Sequence, residues 1–113
     1  MASQNAVVQS RIQLHLRIRA SKARRQSLLA FLREAIPAYK APGGIGVRLL
    51  EDLRDPERFI EVIDYSSPAA FETDQVRVET DATMIALLDR WRRRLDGPVE
   101  IETYKDITNE VGL

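Results

Sequence analysis

Apolar and polar residues alternate strictly along "RIQLHLRIRA" (residues 11–20): Ile12, Leu14, Leu16 and Ile18 fall on one side, Gln13, His15, Arg17 and Arg19 on the other. A period of two with one apolar side predicts a β-strand lying on a core. The period then changes. In "SKARRQSLLAFLREAIPAYK" (21–40), Leu28, Leu32, Ala35, Ile36 and Tyr39 recur at helical spacing behind Ser21, a good N-cap residue. Pro37 lacks an amide hydrogen and crowds the preceding turn, so a kink or an end is expected there. Pro42, Gly43 and Gly44 predict the stop. A second strand is expected from Ile45 to Glu51 and a third over "RFIEVIDY" (58–65), joined as a hairpin through Asp55-Pro56. In "SSPAAF" Ser67 reads as a cap with Pro68 in the first helical position. Asp81 to Leu95 reads as strongly helical, with Met84, Leu87, Leu88, Trp91 and Leu95 on one face and Gly97-Pro98 beyond its end. "VEIETY" (99–104) alternates again as a last strand.

Strand, helix, strand, strand, helix, strand is the ferredoxin-like plan: an α+β domain, βαββαβ, with helices on one face of a four-stranded antiparallel sheet. Residues 1–10 are small and polar and are expected to form a flexible lead-in, 11–106 the single domain, and 107–113 a tail.

Three glycines within Lys40–Leu50 ("KAPGGIGVRLL") raise the prospect of a phosphate-binding loop. Such loops follow a strand and open a helix, so that helix-terminal amides point at the anion. Here the order is reversed, so Gly43 and Gly44 are expected to supply a left-handed cap and a tight turn.

Composition narrows the function classes. Seventeen basic and seventeen acidic side chains cancel, so no net field draws the chain to nucleic acid or a membrane. RNA-recognition domains share this element order, but they need a basic-Gly-aromatic pattern on the third strand; "RFIEVIDY" offers Glu61 and Asp64 instead. With one histidine and no cysteine, disulfides are excluded and no metal set is recognisable. No stretch approaches the roughly 18 apolar residues of a membrane span. The start lacks the basic and apolar segments of a secretion signal, so a cytoplasmic setting is expected.

The sheet face away from the helices holds the candidate chemistry. It carries His15, Arg17 and Arg19 from the first strand and Glu100, Glu102 and Tyr104 from the last. The third strand contributes either Phe59, Glu61, Ile63 and Tyr65 or the alternate set Ile60, Val62 and Asp64; parity leaves both open, because both are partly apolar. A strand apolar on both sides is expected to be buried on both, and a second copy of the chain is the economical cover. Arg17, Arg19 and Arg48 could meet Glu61, Glu100 and Glu102 across strands, either as ion pairs that hold register or as a polar patch with His15 as acid or base. Tyr39, Tyr65 and Tyr104 each offer a hydroxyl; Trp91, in an apolar helical stripe, is expected in the core.

These features resemble the dimeric α+β barrel superfamily, especially its antibiotic-biosynthesis-monooxygenase-like and NIPSNAP-like members. The likeness runs from about Ile12 to Tyr104. It rests on the "PGG" turn, the Asp-Pro hairpin, the acidic-aromatic strand end Asp64-Tyr65 (where Glu-Trp is common) and the Ser-x-x-Ala-Phe helix start. Where many relatives have a histidine, this chain has Asp74, and it lacks an equivalent of the asparagine and tryptophan associated with haem degradation.

The resemblance implies a homodimer, a pocket for a small aromatic ligand between sheet and helices, and oxygenation of phenolic or quinol-type substrates without a cofactor. On that reading His15 and Arg17 are the catalytic candidates, and Tyr65, Glu61, Arg48, Asp74 and Tyr104 the substrate-binding ones, with no metal. The alternative is a non-catalytic dimeric module that binds a small ligand or supports assembly.

Overall fold

The computed structural model describes residues 10–112, so most of the expected lead-in lies outside it. The elements are β1 (Ile12–Arg19), α1 (Lys22–Lys40), β2 (Ile45–Asp52), β3 (Asp55–Tyr65), α2 (Pro68–Thr80), α3 (Ala82–Arg92) and β4 (Glu100–Lys105). A 3-10 turn, Thr108–Val111, follows. The strands form one antiparallel sheet in the order β2-β3-β1-β4, which is the ferredoxin-like arrangement.

Register decides the parity question. Leu14 stands opposite Ile63, Leu16 opposite Glu61 and Ile18 opposite Phe59. Opposed residues share a face, so Phe59, Glu61, Ile63 and Tyr65 lie under the helices, while Ile60, Val62 and Asp64 join His15 and Arg17 on the open face. The core is built from Ile18, Leu28, Phe31, Leu32, Ala35, Phe59, Met84, Trp91 and Leu95. A second cluster, Ile45, Ile63 and Tyr65, takes in Ala70 and Phe71 at the start of α2.

Local expectations fare unevenly. The expected second helical region is two helices, because Asp81 adopts an extended backbone (φ −83°, ψ 117°) between them. Its side chain accepts the Met84 amide at 3.0 Å, so one residue ends α2 and caps α3. Helix α3 stops at Arg92, three residues short of the expected Leu95, which is nevertheless buried. Pro37 does not end α1, which continues to Lys40. Ser21 holds the N-cap position of α1, but no side-chain capping bond forms; Ser67 does cap, accepting the Ala70 amide at 3.1 Å. The hairpin is as expected, but it turns at Leu53 and Arg54, and Asp55-Pro56 already belongs to β3. A register shift between Glu51 and Asp52 leaves Pro56 outside the paired ladder, where its missing donor costs nothing.

The glycine turn is as expected. Gly43 and Gly44 have φ of +86° and +71°. A Cβ on Gly44 would also stand 2.8 Å from the Ser66 hydroxyl, so the close approach of β2 to the start of α2 demands glycine there.

Candidate functional site

The seven residues singled out from the sequence do not form one site. Glu61, Tyr65 and Asp74 lie beneath the helices; His15, Arg17, Arg48 and Tyr104 lie on the open face.

On the open face the polar groups satisfy one another. Gln13 donates its amide to Asp64 at 2.7 Å and its oxygen lies 2.7 Å from His15 Nε2, so His15 carries its proton on Nε2. The His15 ring also sits 4.9 Å from the Tyr104 ring, centroid to centroid. Arg48 reaches Asp64 at 3.5 Å. Arg17 donates to Glu102 at 2.9 Å, and that guanidinium holds the exposed Glu102 carboxyl below its ordinary pKa. Arg19 pairs with Asp55 at 3.1 Å. These are cross-strand pairs of the kind that hold register, worth a few tenths of a kcal/mol to about 1 kcal/mol where exposed. Glu61, expected among them, is absent because β3 turns it to the other face.

Beneath the helices, α2 is locked by a buried network. The Tyr65 hydroxyl donates to Asp74 Oδ2 at 2.5 Å, and Arg77 Nε donates to Asp74 Oδ1 at 3.0 Å. The rest of the Arg77 guanidinium donates to the carbonyls of Ala38 at 2.9 Å and Tyr39 at 2.7 Å in the last turn of α1, where Ala38 also accepts the Ala41 amide at 3.3 Å. Burial first, and the bond to Asp74 second, push the Tyr65 hydroxyl pKa up. Every strong group here has a partner, and the network holds α1 and α2 in register.

One polar cluster is left unsatisfied. Glu61 is only 2% exposed, and its register neighbours are Leu16 and Leu49. Burial drives its carboxyl up to about 7. The Trp91 indole N–H lies near enough to oppose that rise, but makes no aligned hydrogen bond. Glu61 Oε1, Trp91 Nε1 and the Tyr39 hydroxyl are all buried without a partner. Burial, and secondly the charge of Glu61, raise the Tyr39 pKa, while Arg90 opposes the rise. An orphaned buried polar atom costs about 1–3 kcal/mol, so three converging from α1, α3 and β3 call for a function. Among the described residues no group of histidines, aspartates and glutamates is placed to hold a metal ion.

Trp91 is in the core as its spacing implied, but its N–H role was not legible from the stripe of apolar residues around it. The one available signal for Glu61 was a lone acid among Phe59, Ile63 and Tyr65 on alternate positions.

Solved structures match this fold closely. A conserved protein from Methanosarcina mazei superposes with a TM-score of 0.73 at 13% identity, covering 88% of this chain and 95% of its own. A protein from Bordetella bronchiseptica described as a "putative antibiotic biosynthesis monooxygenase" gives 0.71 at 20% identity, covering 88% of this chain and 99% of its own. A protein so described from Deinococcus radiodurans gives 0.66 at 18%, covering 84% and 91%. The chain therefore has the α+β ferredoxin-like fold seen in antibiotic-biosynthesis-monooxygenase-like proteins, as the sequence resemblance implied. No protein-family model and no curated protein matches the sequence.

Proposed function

We propose that this chain is a small-molecule enzyme of the cofactor-independent monooxygenase type, acting on a phenolic or quinol-type substrate between the sheet and the helices. The observation that carries the reading is the unpartnered Glu61 carboxyl, buried beside the unpartnered Trp91 N–H and Tyr39 hydroxyl. A carboxyl titrating near neutrality is suited to take a proton from a weakly acidic hydroxyl or activated carbon. The two donors are suited to hold the resulting oxyanion. The ionised substrate then reacts with oxygen, supplying the electrons itself. Glu61 is favoured as base over His15, whose ring is already held by Gln13 and Tyr104. The fold shared with proteins described as monooxygenases agrees with this reading.

Oxygen uptake with a panel of quinols tests it. A turning-over quinol is expected, with kcat lowered at least about 100-fold in Glu61→Gln, the usual scale for losing a general base. His15→Ala is expected to leave kcat within about threefold, far below the scale of a lost general base. Loss of activity in His15→Ala but not in Glu61→Gln would move the chemistry to the open face. Ligand binding with no oxygen consumption would leave a binding module.

A second copy of the chain is the proposed cover for the open face. Leu50 (45% exposed) and Tyr104 (46%) share that face with Ile60, and a single chain cannot bury them.

A further inference from the structure

The Glu61 cluster is sealed: its carboxyl is buried and its neighbours on the sheet are leucines. A substrate needs a way in. Register shows where one lies. Leu49, Glu61, Leu16 and Ile101 form one row across the four strands on the helix side. Ile101 is therefore two strands from Glu61, about 10 Å away. Ile101 also lines a groove of about 250 Å³ between α3 and β4, with Trp91, Leu95, Pro98 and Val99. Trp91 thus belongs to both places: it walls the groove and turns its N–H toward the Glu61 carboxyl.

The backbone around the groove is pinned. The Asp96 amide donates to the Arg19 carbonyl at 2.8 Å, and Asp96 Oδ2 accepts the Ser21 amide at 2.7 Å. Arg24 donates to the carbonyls of Arg93 at 2.9 Å and Leu95 at 3.1 Å. With the loop held, the buried indole is the part that has to move to open the way, and its N–H gives up no hydrogen bond in doing so. An apolar cavity of about 150 Å³ accommodates benzene, so the groove is the size of one substituted ring.

We propose that the α3–β4 groove is the substrate entrance, closed by the Trp91 indole, and that it admits a single planar ring bearing a weakly acidic hydroxyl, which displaces the indole and reaches Glu61. This rests on the reading of Glu61 as the base of the site. On arrival the phenol O–H bond breaks and the Glu61 carboxylate becomes a carboxylic acid. The phenolate charge then rests against the Tyr39 hydroxyl, and against the Trp91 N–H once the indole has closed again behind the ring. No electrons are exchanged in this step.

Trp91 is the only tryptophan of the chain, so its fluorescence reports on the gate directly. The probe is 4-nitrophenol, whose neutral and ionised forms absorb at different wavelengths, at about pH 7, where the Glu61 carboxyl is partly ionised and the free compound's own ionised fraction is measured without protein and subtracted. Saturable quenching is expected, together with the phenolate absorbance in the bound state. Ile101→Phe fills the groove at a position 63% exposed, where the fold tolerates it, and is expected to weaken binding at least about tenfold. Glu61→Gln is expected to bind 4-nitrophenol in its neutral form. Leu50→Phe, in the cleft of about 500 Å³ on the open face, is expected to change affinity by less than about twofold. Binding lost in Leu50→Phe and kept in Ile101→Phe overturns the proposal, as does no saturable quenching up to about 1 mM, the upper end of ordinary Michaelis constants. Oxygen uptake separates the two readings. If Glu61→Gln abolishes turnover of quinols and Ile101→Phe does not touch it, the entrance fails and the enzyme reading stands. If Ile101→Phe blocks binding but no quinol consumes oxygen, the entrance stands and the enzyme reading fails.

Discussion

Glu61 occupies a position that an aliphatic residue would fill at lower energetic cost. Its carboxyl is desolvated, faces Leu16 and Leu49 across the strands, and is charged only at the expense of stability. The consequence has a definite sign. A carboxyl at about 4.5 when unfolded and about 7 when folded binds its proton more tightly in the native state. Its contribution is fully present below about pH 4.5 and is lost as pH rises to about 7. Trp91 and Tyr39 are the polar groups near it, with Arg90 acting on Tyr39, and only the carboxyl titrates in that window. Urea denaturation of wild type and Glu61→Gln across this range should show the variant gaining on wild type from about pH 4.5 and levelling off above about 7. The relative gain is on the order of 3 kcal/mol. A pH-independent difference would show that the carboxyl titrates normally.

The helices show why caps matter more than propensity here. Ser67 and Ser21 look alike in the sequence, both small hydroxyl residues ahead of a helical run. Only Ser67 bonds a free amide, and α2 also depends on Pro68 to start it. At α1 the Ser21 amide is tied to Asp96 instead, and its side chain caps nothing. Ser67→Ala should therefore cost about 1 kcal/mol and Ser21→Ala less than about 0.5 kcal/mol, measured by chemical denaturation. Equal losses would mean that the Ser21 hydroxyl caps in solution. The division at Asp81 follows the same logic. The sequence already started a helical segment at Asp81; the structure adds that its side chain accepts an amide three residues on, from an extended backbone.

Across the whole molecule the sheet separates two chemistries. The helix side buries an unsatisfied acid, while the open side carries paired charges around Val62, itself only 1% exposed. Apolar side chains at Leu50, Ile60 and Tyr104 are the reason for proposing that open side as the surface for a second copy. Ile60→Asp places a charge at its centre and should convert a dimer to a monomer, read by light scattering coupled to size exclusion. A wild-type monomer at tens of micromolar would remove the dimer from the proposal. The three helices crowd one face, and among the described residues none is long and apolar enough to cross a membrane.

Element order and the α+β plan were legible because each period is local. Alternation in Ile12–Ile18, the 3.6-residue stripe through Leu28 and Tyr39, and glycines at positive φ all report on backbone geometry within a few residues. The face of β3 was not, because both parities were partly apolar and one residue of register moves every side chain to the other side. That single choice sent Glu61 and Tyr65 under the helices and left His15, Arg17, Arg48 and Tyr104 outside. The meeting of Tyr39, Glu61 and Trp91 lay still further from local reading. They come from three elements and are far apart in the chain, so only packing could bring their unpartnered atoms together.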